Sequence, residues 1–202
     1  MFAGFLFSAL FWYTTKTMQQ KRAIIFIDGS NFYFKLRDLQ LHQLLTFDFS
    51  QFCTFLAKDQ QITRATYYVG AVRADGTEKT RKMQANQQRL FSHLQKHKLT
   101  YSLGYLLKSD GKFHEKGVDV NIAVDMLIAA YENQCDTIYL VSSDTDLLPA
   151  IKQAQKKGKH IIYVGFSHQL STALVANCQE TRSLTRNDLR SFIQTSVERE
   201  AA

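Results

Sequence analysis

The sequence predicts an α/β domain built on a mostly parallel β-sheet that helices cover on both faces. Three short, continuous apolar runs predict buried strands: AIIFI at 23–27, TIYLV at 137–141 and HIIYV at 160–164. A strand that is buried on both faces consists of such a run, because neither of its sides contacts water. Helix-compatible segments and short loops lie between the runs, and this alternation is typical of a parallel sheet.

The elements of the first half follow from periodicity and composition. Aromatic and β-branched runs predict strands, and apolar residues that recur every three or four positions predict helices. Ser30 is the predicted N-cap of the first helix. In order, we predict a strand at 23–27, helices at 32–41 and 49–56, a strand at 65–72, a long polar helix at 78–98 and a strand at 99–107.

The second half contains the clearest helix of the sequence, VDVNIAVDMLIAAY at 118–131. The strand 137–141 follows it. The next predicted helix, 147–157, carries Pro149 in its first turn, where the missing N–H does no harm, and Gly158 is typical of its C-terminus. A strand at 160–164 and helices at 169–177 and 186–195 complete the predicted elements.

Composition limits the class of function. The 202 residues are 45% hydrophobic and 21% charged, which suits one folded domain. Three scattered cysteines form no CxxC or Cys/His cluster, which argues against a disulfide framework and a zinc site and fits a reducing compartment. A net charge of +7 favours an anionic partner such as nucleic acid. The sequence contains no GxGxxG motif, so we expect no dinucleotide or other organic cofactor.

Residues 1–13 (MFAGFLFSALFWY) are almost wholly apolar. A signal peptide carries its positive charge before the apolar stretch, whereas here Lys16, Lys21 and Arg22 follow it. A transmembrane helix needs about 20 apolar residues. We favour a mis-assigned start or an incidental extension over a short hydrophobic anchor. The predicted division is an apolar extension at 1–20, a domain at 21–180 and a C-terminal helix and tail at 181–202, in a cytoplasmic protein without a membrane partner.

Polar residues that follow the buried strands are the first candidates for a functional site, because parallel sheets bind ligands at the carboxyl ends of their strands. Asp28 and Asn31 follow the first strand, and Asp119, preceded by Lys116, begins the helix 118–131. The strand 137–141 is followed by Ser142, Ser143, Asp144 and Asp146. Oxygen ligands without His or Cys suit Mg²⁺ or Mn²⁺, which can activate water and hold a phosphate oxygen. Asn31, Ser142 and Ser143 would complete the outer shell or hold a phosphate.

Each of these carboxylates also has a purely structural explanation. Asp119 and Asp144 could cap the helices that follow them, and Asp28-Gly29 could form a turn. Asp125 is different, because it lies inside an apolar helix, where an unpaired carboxylate is costly. Either it faces the edge of the acidic site, or it pairs with a Lys or Arg that the sequence does not identify.

Three segments together resemble the NYN domain, in its LabA-like (DUF88) branch. They are FIDGSNFY at 26–33, KGVDVNIAVDML at 116–127 and LVSSDTDLLPAIKQAQKKGKHI at 140–161. NYN domains belong to the PIN-like superfamily, so the resemblance implies a three-layer α/β/α sandwich with a central, mostly parallel sheet. It also implies metal-dependent cleavage of RNA by a cluster of aspartates, which correspond here to Asp28, Asp119, Asp144 and Asp146.

The resemblance also covers residues around the predicted cluster. Asn31 matches the family's Asn after the first strand, and Asp125 matches a recurrent acidic position. Ser143 stands where Gly is common and Leu147 where Phe is common, and neither change removes a carboxylate. Because PIN-like domains often pair, the resemblance further implies a homodimer.

The activity that this resemblance implies is hydrolysis of phosphodiester bonds by an endoribonuclease. Single-stranded RNA is the favoured substrate, because the site needs an exposed backbone, and Lys116 is placed to neutralise a phosphate. Lys79, Arg81 and Lys82 either track phosphates or form a solvated helix face. Likewise, Tyr67, Tyr68 and Tyr105 either stack bases or belong to the core.

Three other functions are weighed against the nuclease. A LabA-like regulatory module would bind nucleic acid and catalyse little or nothing, since a fold does not establish an activity. A DxD-type phosphatase needs its first Asp directly after the strand, whereas two serines intervene in LVSSDTD. That function and a nucleotide-sugar transferase both leave Asp28 and Asp119 unexplained.

Overall fold

The computed structural model describes residues 20–72, 76–109 and 112–193, with the backbone alone at 106–109 and 112–115. Within these residues, seven strands form one sheet in the order β4-β3-β2-β1-β5-β6-β7. All neighbouring strands are parallel except β3 and β4, which pair antiparallel. The strands are β1 Arg22–Asp28, β2 Gln61–Ala71, β3 Thr100–Ser109, β4 Lys112–Lys116, β5 Thr137–Val141, β6 His160–Phe166 and β7 Glu180–Leu184.

Helices cover both faces of the sheet, which confirms the predicted three-layer α/β/α sandwich. Two 3₁₀ turns, Leu44–Thr46 and Thr145–Leu147, add to the connections between the layers. The helices are α1 Gly29–Asp38, α2 Phe49–Ala57, α3 Glu78–Lys96, α4 Val118–Tyr131, α5 Leu148–Lys156, α6 Thr172–Asn177 and α7 Arg186–Arg190.

The two cores lie on opposite faces of the sheet because consecutive residues of a strand point to opposite sides. From β1, Ile25 and Ile27 enter the core beneath α1, α2 and α3, whereas Ile24 and Phe26 enter the core beneath α4, α5 and α6. Every residue from Ala23 to Ile27 is at most 1% exposed. The continuous apolar run of β1 is therefore explained by burial on both sides.

Helix α1 begins three residues earlier than predicted. Its N-cap is Asp28, whose side chain accepts a hydrogen bond from the Asn31 backbone N–H, so the prediction of Ser30 as the cap was wrong. The fully buried Phe32 of this helix packs against the rings of Phe47, Phe49 and Phe52. Capping and packing together hold the start of α1 against the end of β1.

Two strands were not predicted from the sequence, β4 (KFHEK) and β7 (ETRSL). Both lie at the edges of the sheet, where a strand pairs on one side only and tolerates polar residues. Strand β7 falls at the start of the segment that was predicted as a C-terminal helix and tail, and the helix there ends at Arg190 instead of 195. The apolar residues 1–13 lie outside the described residues.

The connections place one edge of the sheet in position to form a site. The chain runs outward from β1 to β2 and β3, then returns to the other side of β1 with β5 and continues to β6 and β7. The strand order therefore reverses between β1 and β5, and a parallel sheet forms a crevice at the carboxyl ends of two such strands. In the described part of the chain, no helix is both long enough and apolar enough to span a bilayer.

Candidate metal-binding site

Three carboxylates converge at the carboxyl edge of the sheet. Asp144 follows β5, Asp146 lies in the 3₁₀ turn Thr145–Leu147, and Asp119 lies in the first turn of α4. One carboxylate oxygen from each residue lies within 4.8 Å of the oxygens from the other two. Carboxylates this close repel one another unless a positive charge lies between them. Their oxygen-only chemistry fits a hard divalent cation such as Mg²⁺ or Mn²⁺.

Asp28 lies outside this group of three but is connected to it by Ser142. The register of β1 and β5 pairs Ile27 with Val141, so the next residues, Asp28 and Ser142, emerge side by side. The buried Ser142 hydroxyl donates to Asp28 Oδ2 at 2.8 Å and accepts from the Asp144 backbone N–H at 3.1 Å. Asp28 itself is only 7% exposed. One hydroxyl therefore fixes both the Asp28 carboxylate and the loop that carries Asp144.

Capping and metal binding are compatible roles for these aspartates. Asp28 Oδ1 caps α1, and Asp144 Oδ1 accepts from the Asp146 backbone N–H at 2.9 Å at the start of the 3₁₀ turn. An ionised carboxylate has two oxygens with about four lone-pair positions, so the capping hydrogen bond of Asp144 leaves this residue capacity for a cation. The capping role considered from the sequence is thus correct for Asp144. It is wrong for Asp119, because Gly117 occupies the N-cap position of α4, and Asp28 caps α1 where the sequence suggested a turn.

The remaining polar candidates take different positions around the carboxylates. Asn31 lies in the first turn of α1, and its Oδ1 is buried without a hydrogen-bond partner among the described residues. Such an orphaned acceptor is costly unless a donor or a cation approaches it. Ser143 turns toward β6, with its hydroxyl 3.3 Å from the Tyr163 hydroxyl.

The segment that leads into Asp119 also brings a cation close to the site. Lys116 ends β4 opposite Tyr105 of β3, and both residues are exposed. Gly117 follows at the N-cap position of α4 with φ of +80°, a conformation that L side chains rarely adopt. A Cβ there would lie 3.4 Å from the Tyr105 ring. The chain therefore turns into α4 next to Tyr105, so that Lys116 and Asp119 lie on either side of this turn.

Among the described residues, Asp125 is paired with a tyrosine and not with a Lys or Arg. The Tyr68 hydroxyl of β2 donates to Asp125 Oδ2 at 2.7 Å. Burial raises the pKa of Tyr68, and the hydrogen bond to Asp125 raises this pKa further, so the hydroxyl keeps its proton and donates it. Asp125 lies six residues beyond Asp119 on α4, about 9 Å along the helix. Its observed contact ties α4 to the sheet.

We expect Tyr68→Phe to lower the free energy of unfolding by about 1.5 kcal/mol, because it leaves the half-buried Asp125 carboxylate without its donor. Urea denaturation monitored by circular dichroism measures this loss. Tyr131→Phe, which removes a hydroxyl from a ring that is 57% exposed on the same helix, is the matched control and should change stability little. Equal effects of the two substitutions would contradict a structural role for the Tyr68–Asp125 hydrogen bond.

The aromatic and basic residues considered as RNA contacts differ in how far their side chains are exposed to solvent. Tyr67 and Tyr68 are fully buried and belong to the two cores, whereas Tyr105 is exposed. On α3, Lys79, Arg81 and Lys82 all face solvent. The surface therefore offers Tyr105 and these cations to a ligand, but not the two tyrosines of β2.

None of the cysteines is suited to nucleophilic catalysis. Burial raises the pKa of Cys53 to about 12, and the nearby Asp48 contributes to this shift. Burial also raises the pKa of Cys135 and of Cys178 to about 11. All three are free thiols that remain protonated at neutral pH. Nucleophilic catalysis by a thiolate is therefore not expected of this chain.

Comparison with known protein families gives a match that covers most of the chain. The model of the NYN domain family matches residues 22–185. This range includes all seven strands and every residue of the acidic edge described above.

Individual proteins are also similar to this chain. An uncharacterized protein of Methanocaldococcus jannaschii is 44% identical over 57 residues, which are 28% of this chain. The matched segment spans about a quarter (24%) of that relative's length. Among solved structures, a Vibrio parahaemolyticus protein of unknown function superimposes with a TM-score of 0.58 at 21% identity. The superposition covers 82% of this chain and 93% of that one, which supports the fold.

Proposed function

Since this chain belongs to the NYN domain family, we propose that it is a metal-dependent endoribonuclease that hydrolyses phosphodiester bonds of single-stranded RNA. NYN domains belong to the PIN-like nuclease superfamily. The observation that carries the proposal is the convergence of Asp119, Asp144 and Asp146 at the point where the strand order reverses. The motifs at 26–33, 116–127 and 140–161 support placing the chain in the LabA-like (DUF88) branch of the family.

The residues present fit a divalent cation. Asp119 and Asp144 would ligate it directly together with Asp28, and Asp146 would ligate it or orient a water molecule. The buried, unpartnered Asn31 Oδ1 beside Asp28 adds a neutral oxygen to this set. Mg²⁺ or Mn²⁺ held there would lower the pKa of a water molecule and neutralise charge on the phosphate.

The other side chains prepare the site for the substrate. Ser142 holds Asp28 and the Asp144 loop in fixed positions through its two hydrogen bonds, so that less ordering is needed when RNA binds. The exposed Lys116 would bind a phosphate oxygen next to Asp119. Hydrolysis then breaks one P–O bond, and the elements of water are added to the two products.

The proposal is tested by incubating the full chain with a labelled single-stranded RNA in Mg²⁺, in Mn²⁺ and in EDTA. We expect cleavage with either metal and none in EDTA. Duplex RNA should be cut more slowly, because its paired backbone does not enter a crevice as freely as an extended strand. Uncut RNA that is retained by the protein in a gel would instead favour the non-catalytic regulatory module.

We also propose that the protein forms a homodimer through the outer face of α4. On this helix Val120, Val124, Ile128 and Tyr131 recur at helical spacing and are 40–62% exposed. These four residues form the α4 stripe. A helix that is apolar on its outer as well as its inner face is normally covered by a partner. A second copy can supply it, because a two-fold axis uses the same patch on both subunits.

Light scattering at micromolar concentration should therefore give twice the chain mass. Val124→Glu at the centre of the α4 stripe is expected to yield monomers, because a stable interface does not bury an unpaired carboxylate. Gln88→Glu adds the same charge on the exposed side of α3 and should leave the dimer intact. Wild type that is monomeric at these concentrations would contradict the dimer.

The three free thiols further support our proposal of a cytoplasmic location, since disulfides are rare there.

A further inference from the structure

A cleft of about 710 Å³ opens beside the acidic edge, between α1 and α3. Its floor is the end of β2 with Tyr67, Val69 and Val72, and the segment 42–46 closes one side. We call it the α1–α3 cleft. Its volume is in the range of about 300–1,000 Å³ that small-molecule sites occupy. Neither hydrophobic core fills this space, and the three converging carboxylates do not line it.

The walls of the cleft expose aromatic rings. Tyr33 and Phe34 of α1 line it, and Phe34 is 48% exposed. The His42 ring lies edge-on to Tyr33 at 6.4 Å, and the Arg37 guanidinium lies 4.7 Å from the centre of the Phe34 ring. Rings and guanidinium planes of this kind stack on nucleobases, whichever base is present. The chemistry of this wall fits a flat, uncharged, aromatic ligand.

The opposite wall is held in place before any ligand binds. Gln87 of α3 accepts from the Val72 N–H at 2.9 Å and donates to the Gly70 carbonyl at 2.8 Å. These bonds tie α3 to the end of β2, so the cleft is pre-formed. Asn86 on the same helix is exposed and lines the cleft, so its amide can bind the polar edge of a base.

The charges around the cleft favour an anionic chain over an apolar peptide. None of the described residues that line it is acidic. Lys79 lies one helical turn before the lining residue Met83, and therefore on the same side of α3. The Arg37 guanidinium adds a positive charge next to the lining ring of Phe34, where phosphates would pass.

The cleft begins one residue beyond Asp28 of the acidic edge. Gly29 and Ser30 line it, and Gly29 directly follows Asp28, about 3.8 Å away along the backbone. A nucleic-acid strand whose phosphate lies at the acidic edge would therefore bring a neighbouring base to the mouth of the cleft. Because the cleft adjoins the acidic edge, we expect its ligand to be part of an RNA strand bound at that edge, and not a molecule unrelated to the carboxylates.

From these observations we infer that the α1–α3 cleft binds unpaired nucleobases of the RNA strand whose backbone lies at the acidic edge. The inference rests on the proposed function for the identity of the strand. It requires that the bases, and not only the phosphates, contribute to affinity. It also makes Tyr33 and Phe34 binding residues that lie outside the carboxylate cluster.

The test compares two fluorescein-labelled oligonucleotides of about twelve nucleotides, an oligo(A) RNA and an abasic strand with the same phosphates. Fluorescence anisotropy with the full chain in EDTA measures binding without any metal-dependent cleavage. We expect oligo(A) to bind about tenfold more tightly than the abasic strand. Phe34→Ala should remove most of this difference while changing affinity for the abasic strand little.

Phe55→Ala is the matched control, because Phe55 is 45% exposed on α2 and lies outside the cleft. It should preserve the preference for oligo(A). Equal binding of the two strands by wild type, or equal effects of the two Phe substitutions, would overturn the inference. So would a change in oligomeric state on Phe34→Ala, since the cleft would then be a subunit contact. Base-dependent binding without RNA cleavage in Mn²⁺ would refute the proposed nuclease and retain the cleft.

Discussion

The Asp144→Asn variant is expected to lose RNA cleavage by about a hundredfold or more while remaining folded. The substitution removes one of three negative charges that lie within 4.8 Å of one another, and a cation held there contributes several kcal/mol to the transition state. A loss of about 3 kcal/mol corresponds to about a hundredfold in rate. Asn caps helices as well as Asp does, so the 3₁₀ turn at Thr145–Leu147 should persist.

Two measurements separate this effect from unfolding and from contamination. Cleavage rates are measured in Mn²⁺, and calorimetric titration with Mn²⁺ alone reports the affinity of the site for the ion. Asp59→Asn is the matched control, because Asp59 is exposed in the turn before β2, at the opposite edge of the sheet. If Asp144→Asn cleaves RNA at the wild-type rate, Asp144 is not part of the catalytic site.

Gly29→Ala should lower the free energy of unfolding by about 3 kcal/mol, near the upper end of the usual cost of overpacking. A Cβ on Gly29 would lie 2.3 Å from the Tyr67 ring and 2.6 Å from the Tyr68 carbonyl oxygen. The ring is fully buried and its hydroxyl donates to the Gly29 carbonyl at 3.1 Å, so moving away from an added Cβ would break this hydrogen bond. The backbone carbonyl belongs to β2 and is equally fixed.

Urea denaturation again measures the change in stability. Gly158→Ala is the control, since nothing lies within 4 Å of a Cβ there and only its φ of +76° opposes a side chain. That backbone conformation costs a residue other than glycine about 1–2 kcal/mol. A Gly29→Ala variant no less stable than Gly158→Ala would mean that α1 does not approach β2 as closely as described. Because Gly29 joins Asp28 to the α1–α3 cleft, reduced RNA binding should accompany the loss of stability.

The regular elements of the interior were the most predictable part of the fold. Strand β5 has the bounds that the sequence predicts, because its complete burial requires an unbroken apolar run. Helix α4 also has the predicted bounds, because Gly117 ends the segment before it. The edge strands β4 and β7 were not predicted, because neither contains such an apolar run. Pairing with a neighbour stabilises an edge strand, and its own polar sequence carries no signal of that pairing.

Only part of the candidate site was predictable from the sequence. Position after a buried strand singled out Asp28 and Asp144, and the structure places both at the edge where the strand order reverses. The hydrogen bond between Tyr68 and Asp125 was not predictable, because nothing in either local segment identifies the other. The α1–α3 cleft was also missed, although the aromatic residues of NFYF directly after Gly29-Ser30 include the two rings that line it.

The sequence by itself determined which interior segments are strands and helices, and which of them end in carboxylates. These properties depend on local burial and local conformation, which a run of neighbouring residues specifies. Only the tertiary structure decided which carboxylates meet. Ser142 and Asp28 are 114 residues apart, and their hydrogen bond exists because β5 returns to pair with β1. Strand order is set by the packing of the whole sheet, so no single segment specifies it.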